Sequence, residues 1–442
     1  MSAPIPNGHQ TQRPLRIGVV GAGLVGSAAV LALSHLPNVE VTAFEKSPVA
    51  REAGAWISLT VAGLKVLSKF IPPAEISRIS YRPPDRAVYV TRHWRTGEIL
   101  VTRYSSESLK EDYIQARTHR EPLLKLILSH LPEESVEYGQ RVVDIILKGR
   151  DEVKLQFDGV SEPRTFDLVV AADGLYSKIR RKFWPDHVVG FKGAVAYRTI
   201  FPKSRVAGIE GLLDDSSAWR KDGEVFFLSE LGLDQYGVVI IRAENAEYAS
   251  TLQWEHKIGA KGLQRLRDIY KDWDGVIARV LDVVDDLDAY PLDSGPWLKQ
   301  LIQHDRVAFV GDAAHPTAGA YGAGAAMGHG DAWALYRALQ ATRTHNGEGG
   351  KDGGSGGVAY DVPRALRIFQ EARLPFLTRV EQQMAVDKED ASYISQASDD
   401  EAEWTRRFME RNVKNEWLTE HDVELEVQKA IMGEPLWSQL SG

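Results

Sequence analysis

The chain has 442 residues with 43% hydrophobic content, enough for one large domain and a smaller one, each with a sizeable core. Its formal charge of −8 is spread over both signs with no basic concentration, so nucleic acid is not an expected partner. The absence of cysteine excludes a disulfide framework, thiolate metal sites and any cysteine-linked cofactor.

Met1 to Pro14 is polar and proline-bearing, without the apolar core of a signal peptide, and no stretch has the length of a membrane span. A soluble cytoplasmic protein is expected, with no membrane partner and no metal. Ile17, Val19 and Val20 form a short apolar run. Gly21-Ala22-Gly23-Leu24-Val25-Gly26 follows, Ser27 to His35 reads as helix, and Val39 to Phe44 is a second apolar run ending in Glu45. In this strand–turn–helix–strand order Gly21 permits the tight turn, Gly23 lets backbone N–H groups approach a pyrophosphate, and Gly26 allows close helix–strand packing. Glu45 lies roughly 20 residues beyond the glycines, where a carboxylate accepts from an adenosine ribose. Dinucleotide binding follows from the whole unit, since the glycine pattern alone is only a turn.

The segment Lys46 to Ser58, with Arg51, Glu52 and Gly54, reads as a loop over the cofactor, and Ala62 to Phe70 as a helix stopped by Pro72-Pro73. Val88 to Arg92 and Glu98 to Tyr104 form a hairpin around Thr96-Gly97, with His93-Trp94 at its turn. Leu123, Leu124, Ile127, Leu128 and Leu131 repeat with helical spacing, and strands are expected over Arg141 to Leu147, Val153 to Phe157 and Asp167 to Ala172. From Gly190 to Tyr290 the runs Ala194 to Phe201, Glu224 to Ser229 and Tyr236 to Arg242 alternate, which predicts an antiparallel sheet. Helices at Gly262 to Asp272 and Val276 to Val284 would cover its back. Arg306 to Val310 returns to a buried strand, Ala325 to Thr342 is helical, and Asn346 to Gly357 is a Gly-rich linker. Pro363 to Asp387 and Glu401 to Met432 read as amphipathic helices.

Two further motifs bear on which dinucleotide is bound. Val169-Val170-Ala171-Ala172-Asp173-Gly174 ends a buried strand, and a helix begins near Ser177; alone it is as consistent with a simple strand-to-helix turn. Val307 to Val310 places Asp312 at a strand's carboxyl end, ahead of the small-residue run Gly319 to Ala326. A carboxylate there can accept from ribityl hydroxyls, and a glycine-rich helix start can turn N–H groups toward a flavin pyrimidine ring.

The set GAGLVG with Glu45, Arg120 in THREPLL, ADGLYSKIR and GDAAHPTAGAYGAGAA resembles the single-component FAD-dependent aromatic hydroxylases, in their salicylate hydroxylase-like branch. That branch includes fungal enzymes that hydroxylate or oxidatively dearomatise phenols in aromatic or secondary metabolism. The resemblance runs from Arg16 to about Trp437. It implies an α/β fold: a Rossmann-like FAD-binding domain from 1–80, 105–185 and 300–345, and an inserted antiparallel β-sheet substrate domain from 81–104 and 186–299. A Gly-rich linker over 346–362 and a C-terminal helical region over 363–442 complete it. It also implies noncovalent FAD, transient NAD(P)H as reductant, O₂, a small aromatic substrate oxidised through a hydroperoxyflavin, and a monomer or homodimer. No second dinucleotide unit is present for the nicotinamide. The implied cofactor-binding residues are Gly21, Gly23, Gly26, Glu45, Lys46, Arg120, Asp173, Gly174, Asp312, Gly322, Gly324 and Ala325, with Glu45 on the ribose, Arg120 on the pyrophosphate side and Asp312 on the ribityl chain.

The chain departs from that pattern at Gly319, where relatives usually have proline, at Gly330-Asp331 in place of Glu-Asp, at Trp56 in place of glycine and at Ala62 in place of asparagine. On the substrate side, Arg198 matches a position where relatives often hold an arginine over the flavin. It could bind a phenolate, or alternatively be a surface ion pair. Tyr113, placed on a strand entering the site, could bond the same oxygen or be core. His315 is expected to bond backbone rather than transfer protons, and Trp219, Phe226 and Phe227 either line a cavity or fill core. Epoxidation of a non-phenolic substrate, or a flavin-binding protein with little turnover, are the alternatives.

Overall fold

A computed structural model of the chain describes residues 13–51, 56–149, 152–212, 216–252, 256–345, 358–412 and 416–434. Glu52, Gly54 and the Gly-rich stretch over 346–357 lie outside them.

A six-stranded sheet runs in the spatial order Ile302–Gln303, Val307–Phe309, Leu168–Ala171, Leu15–Val20, Val39–Glu45, Val136–Tyr138. All neighbours are parallel except the short edge strand Ile302–Gln303. Every residue of Leu168–Ala171 and Val307–Phe309 is buried, as a parallel sheet covered on both faces requires. Helices Leu24–Leu33 and Gly324–Ala341 pack on it and on each other, and the 34-residue helix Val362–Ser395 packs outside them. This last helix runs beyond the expected Asp387 and through Pro375. Buried residues on both sides of that proline, from Val362 to Val380, hold the two halves to one core. Glu401 to Met432 is not one helix: Glu401–Glu410, Glu416–Thr419 and Val423–Met432 are separate, the first and third each started by an aspartate side chain, Asp400 and Asp422.

An eight-stranded sheet has the order His256–Lys257, Asp288–Ser294, Gly190–Pro202, Gln235–Ala243, Glu224–Gly232, Ser217–Lys221, Ala87–His93, Ile99–Tyr104. It is antiparallel as expected except where Ser217–Lys221 meets Ala87–His93 in parallel, the pairing that joins the early hairpin to the later strands. Helices Gly259–Tyr270 and Gly275–Val283 cover one face over Tyr197, Trp219, Phe226, Val238 and Ile240. Alternation along each strand sends Arg198, Val239, Phe227 and Ala218, which are in register, to the other face. Trp219 and Phe226 are therefore core, and only Phe227 of the three aromatics faces the cleft.

A two-stranded ribbon, Trp56–Leu59 with Ala116–His119, crosses that open face. The stretch expected to be loop up to Ser58 thus ends in strand. Trp56 lies on the sheet where Gly237 leaves room: a Cβ on Gly237 would come within 2.8 Å of the indole. Its ring meets Phe227 at 4.8 Å.

Candidate active site

The glycine turn is built by contacts that leave no space for a side chain. Gly21 has φ +97, and a Cβ on Gly26 would stand 1.9 Å from the Gly21 carbonyl oxygen. Helix Leu24–Leu33 therefore starts hard against the strand, with Gly23 at its N-cap and no side-chain cap. Glu45 reaches the same turn: Ala22 N–H donates to Oε2 (3.0 Å) and Ser47 N–H to Oε1 (2.8 Å). Lys46 is exposed beside it.

Asp173 ends the adjacent strand and accepts from Lys178 N–H (2.8 Å) and Ile179 N–H (3.2 Å), so its first role is to start the helix Lys178–Phe183. Burial nevertheless pushes its carboxyl up against those bonds. Arg180 on that helix is buried and donates to the carbonyls of Asp312 (3.1 Å), Ala313 (2.9 Å) and Leu175. One guanidinium thereby locks the Asp-Gly motif to the Gly-Asp motif. Arg180 was legible only as the last residue of ADGLYSKIR, because its partners lie over a hundred residues away.

Asp312 occupies a 3₁₀ turn, Gly311–Ala313. Its side chain is exposed by area, yet loss of solvent raises its pKa, against the charges of His315, Arg120 and Arg180. Both observations hold if the carboxylate faces a cleft enclosed by protein rather than the outer surface. Gly324, the first residue of the following helix, is adjacent: a Cβ there would lie 3.9 Å from Asp312 Oδ1. Gly322 has φ +61 and abuts Ser58 across the cleft, and Ala325 is half-buried one residue into the helix. Gly319 has φ +82, a conformation proline cannot adopt.

Arg120 begins helix Arg120–Ser129 and is electrostatically coupled to both Asp312 and Arg198. Arg198 stands over the Tyr290 ring at 5.2 Å, with its Nε buried and without a hydrogen-bond partner. Burial and the nearby Arg120 lower its pKa to about 10, which leaves it charged at neutral pH. It is not part of a surface ion pair. Tyr113 is a correction: it lies in the 3₁₀ turn Glu111–Tyr113, not on a strand, and packs against the cluster that includes Leu59, Leu64 and Leu123. That is the core role.

His315 also differs from the expected backbone bond. Its Nε2 lies 2.6 Å from Asp331 Oδ2, which accepts from Gly311 N–H as well (2.9 Å), while Arg373 Nε donates to Oδ1 (2.8 Å). Arg373 continues to the Met327 carbonyl (3.1 Å) and His421 (3.3 Å), all of it buried. Burial alone would push the Asp331 carboxyl up, but His315, Arg373 and the Gly311 N–H hold it below its ordinary value. Gly330 makes this possible, because a Cβ there would come within 3.2 Å of the Arg373 guanidinium. The glycine that looked like a loss of the family's glutamate admits an arginine instead.

His329, on the same helix, is 1% exposed, and burial lowers its pKa to about 4. The unfolded chain binds this proton below about 6.5, the folded one only below about 4. Stability contributed by the neutral ring is thus complete above the unfolded value and falls as pH drops between the two, by up to a few kcal/mol. Thermal midpoints measured from pH 7 to pH 4 should fall less steeply in His329→Leu than in the parent; identical slopes would refute this.

No family model matches the chain. It is 24% identical over 432 residues to a salicylate hydroxylase of Pseudomonas putida, covering 94% of each protein. It is 26% identical over 367 residues to a 6-hydroxynicotinate 3-monooxygenase of Pseudomonas fluorescens, covering 81% of this chain and 90% of that one. A solved salicylate hydroxylase substrate complex superposes with a TM-score of 0.74 at 20% identity, over 94% of this chain and 98% of the other. The chain is a homologue of the FAD-dependent aromatic hydroxylases. Like those relatives, this hydroxylase homologue has a mixed α/β architecture, and among its described residues no helix is long and apolar enough to cross a membrane.

Proposed function

We propose that this hydroxylase homologue is an FAD-dependent monooxygenase that uses NAD(P)H and O₂ to hydroxylate a phenolic ring. The observation that carries the reading is the convergence of Asp312, Arg120 and Arg198 between the two sheets, with the first two on the dinucleotide side and, facing them, an arginine with no carboxylate partner among the described residues. The residues fit FAD: the Gly21–Gly26 turn excludes side chains where a pyrophosphate would approach, and Asp312 presents acceptor oxygens to a cleft. When bound, FAD supplies the reducible ring that activates oxygen.

The protein's own part is binding and orientation. The N–H groups at the start of helix Leu24–Leu33 would hold phosphate, Glu45 the ribose and Asp312 the ribityl hydroxyls. Arg198 would hold the substrate oxygen as phenolate, making the ring carbon electron-rich. Arg180 and Asp331 would keep the Asp312 turn in place.

The purified protein should retain FAD and oxidise NAD(P)H faster when a suitable phenol is added, with hydroxylated product rather than peroxide. No flavin reduction with any phenol of a broad panel would reject the reading. Asp312→Ala should weaken FAD retention by about 1–3 kcal/mol, since an acceptor facing the cleft is lost. Unchanged FAD affinity, measured by flavin fluorescence, would remove Asp312 from the cofactor set.

A further inference from the structure

Between Asp312 and helix Gly324–Ala341 the chain folds tightly along the cleft. A Cβ on Gly324 would lie 3.9 Å from Asp312 Oδ1 and 3.0 Å from Thr317 Oγ1, and one on Gly322 would lie 2.9 Å from Ser58 Oγ. Residues 317–324 therefore form a rim beside the Asp312 carboxylate. Their backbone is strained: Ala318 (φ 50), Gly319 (φ 82), Tyr321 (φ 56) and Gly322 (φ 61) all lie in the left-handed region. That conformation is unfavourable for alanine and more so for an aromatic residue, and Gly319 supplies none of the stiffness of a proline.

Such a backbone persists only where its surroundings over-determine it. Gly319 N–H donates to Thr317 Oγ1 (3.3 Å), Ala320 N–H to the Thr317 carbonyl (3.0 Å) and Gly322 N–H to the Gly319 carbonyl (3.2 Å), but these bonds are local and would move with the segment. Tyr321 reaches a separate element. Its hydroxyl donates to Asp387 Oδ2 (2.5 Å), and Gln383 Nε2 donates to Oδ1 (2.8 Å). Gln383 and Asp387 stand on helix Val362–Ser395 beyond Val380, its last buried residue, so core packing does not account for them. Asp387 is also among the charges that counter the burial-lowered pKa of Arg103, on the outer strand Ile99–Tyr104 of the second sheet. Burial, and then Asp387, raise the Tyr321 pKa, so the hydroxyl remains a donor at working pH, and its bond to a carboxylate is charge-assisted.

We propose that Tyr321 and Asp387 are a positioning pair, tying the rim at residues 318–322 to the C-terminal helix so that the cleft beside Asp312 stays closed to water during hydroxylation. This rests on the monooxygenase reading. With the rim held, each NAD(P)H oxidised sends one oxygen atom of O₂ to the ring and the other to water. With the rim loose, the same two electrons reduce O₂ to H₂O₂ and the substrate is left unchanged.

Two readouts on the FAD-loaded protein test this: amide hydrogen exchange over residues 317–324, and hydroxylated product formed per NAD(P)H oxidised. The substrate probe is salicylate or, if that is inert, the phenol of the panel that most stimulates oxidation. Tyr321→Phe and Asp387→Ala should each speed exchange in this segment by roughly 10- to 100-fold, the worth of one charge-assisted hydrogen bond. Each should also lower product per NAD(P)H by about half or more, the difference appearing as H₂O₂. The thermal midpoint should stay within about 3 °C of the parent, because one bond is small against the melting entropy of a chain of this length. The double variant should be no worse than either single, and Asp387→Asn, which keeps an acceptor, should recover part of both readouts. Unchanged exchange in Tyr321→Phe overturns the proposal. Faster exchange with unchanged product per NAD(P)H makes the bond structural only and overturns it as well, and either result leaves the monooxygenase reading intact. If no phenol stimulates NAD(P)H oxidation by the parent, that reading fails first and the positioning role falls with it.

Discussion

Arg198→Ala should lose ring hydroxylation by about 100-fold or more in kcat/KM while keeping FAD, with the remaining NAD(P)H oxidation ending in peroxide. A phenol of pKa about 10 is almost wholly protonated at pH 7, and only its ionised form has the electron density that electrophilic oxygen transfer needs. A fixed charge in a shielded cleft favours the phenolate. Arg198 satisfies both conditions: its Nε is buried without a partner, and its pKa, lowered to about 10, still leaves it charged at working pH. Without it, activity should rise steeply with pH as the free phenol ionises, whereas the parent should depend on pH far less. Arg198→Lys should keep part of the rate, because charge is retained while the planar fork is lost. A parent-like rate, pH profile and product position in Arg198→Ala would move the anchor elsewhere. Tyr290, under the guanidinium, would be the next residue to test.

Asp331→Ala should cost about 3–5 kcal/mol of stability, because it leaves the Arg373 guanidinium and His315 buried with no anion between them. In a chain of this length the melting entropy is large, so the thermal midpoint should fall by only about 4 °C. FAD retention should drop together with stability, since Gly311 N–H and His315 flank Asp312 and would lose their common acceptor. Arg373→Met leaves Asp331 its other two partners and should be milder. The double variant should be less damaging than the sum of the singles, as coupled partners require. A midpoint within 1 °C of the parent in Asp331→Ala would show that the network contributes nothing.

The sequence by itself determined the parts whose partners are near in the chain. The Gly21–Gly26 turn is dictated within six residues, because Gly26 meets the Gly21 carbonyl oxygen and nothing distant is needed. Burial on both faces shows directly in the apolar runs Leu168–Ala171 and Val307–Phe309, and alternation reveals the strands of the second sheet. Arg198 stood out for a different reason, its match to a position where relatives often hold an arginine. Contacts between residues far apart in the chain were decided only by the tertiary structure. Arg180 binds the Asp312 and Ala313 carbonyls, Asp331 reaches Arg373 forty-two residues on, and Arg220 is placed near Tyr89 by a parallel pairing that no turn signal announces. Tyr113 was misplaced and the Glu401 to Met432 segment read as one helix because periodicity shows which residues seek burial, not which partner buries them. A lone charge in a sequence carries no mark of its counterion, and packing alone supplies one to Arg373 while, among the described residues, leaving the Arg198 Nε without a hydrogen-bond partner.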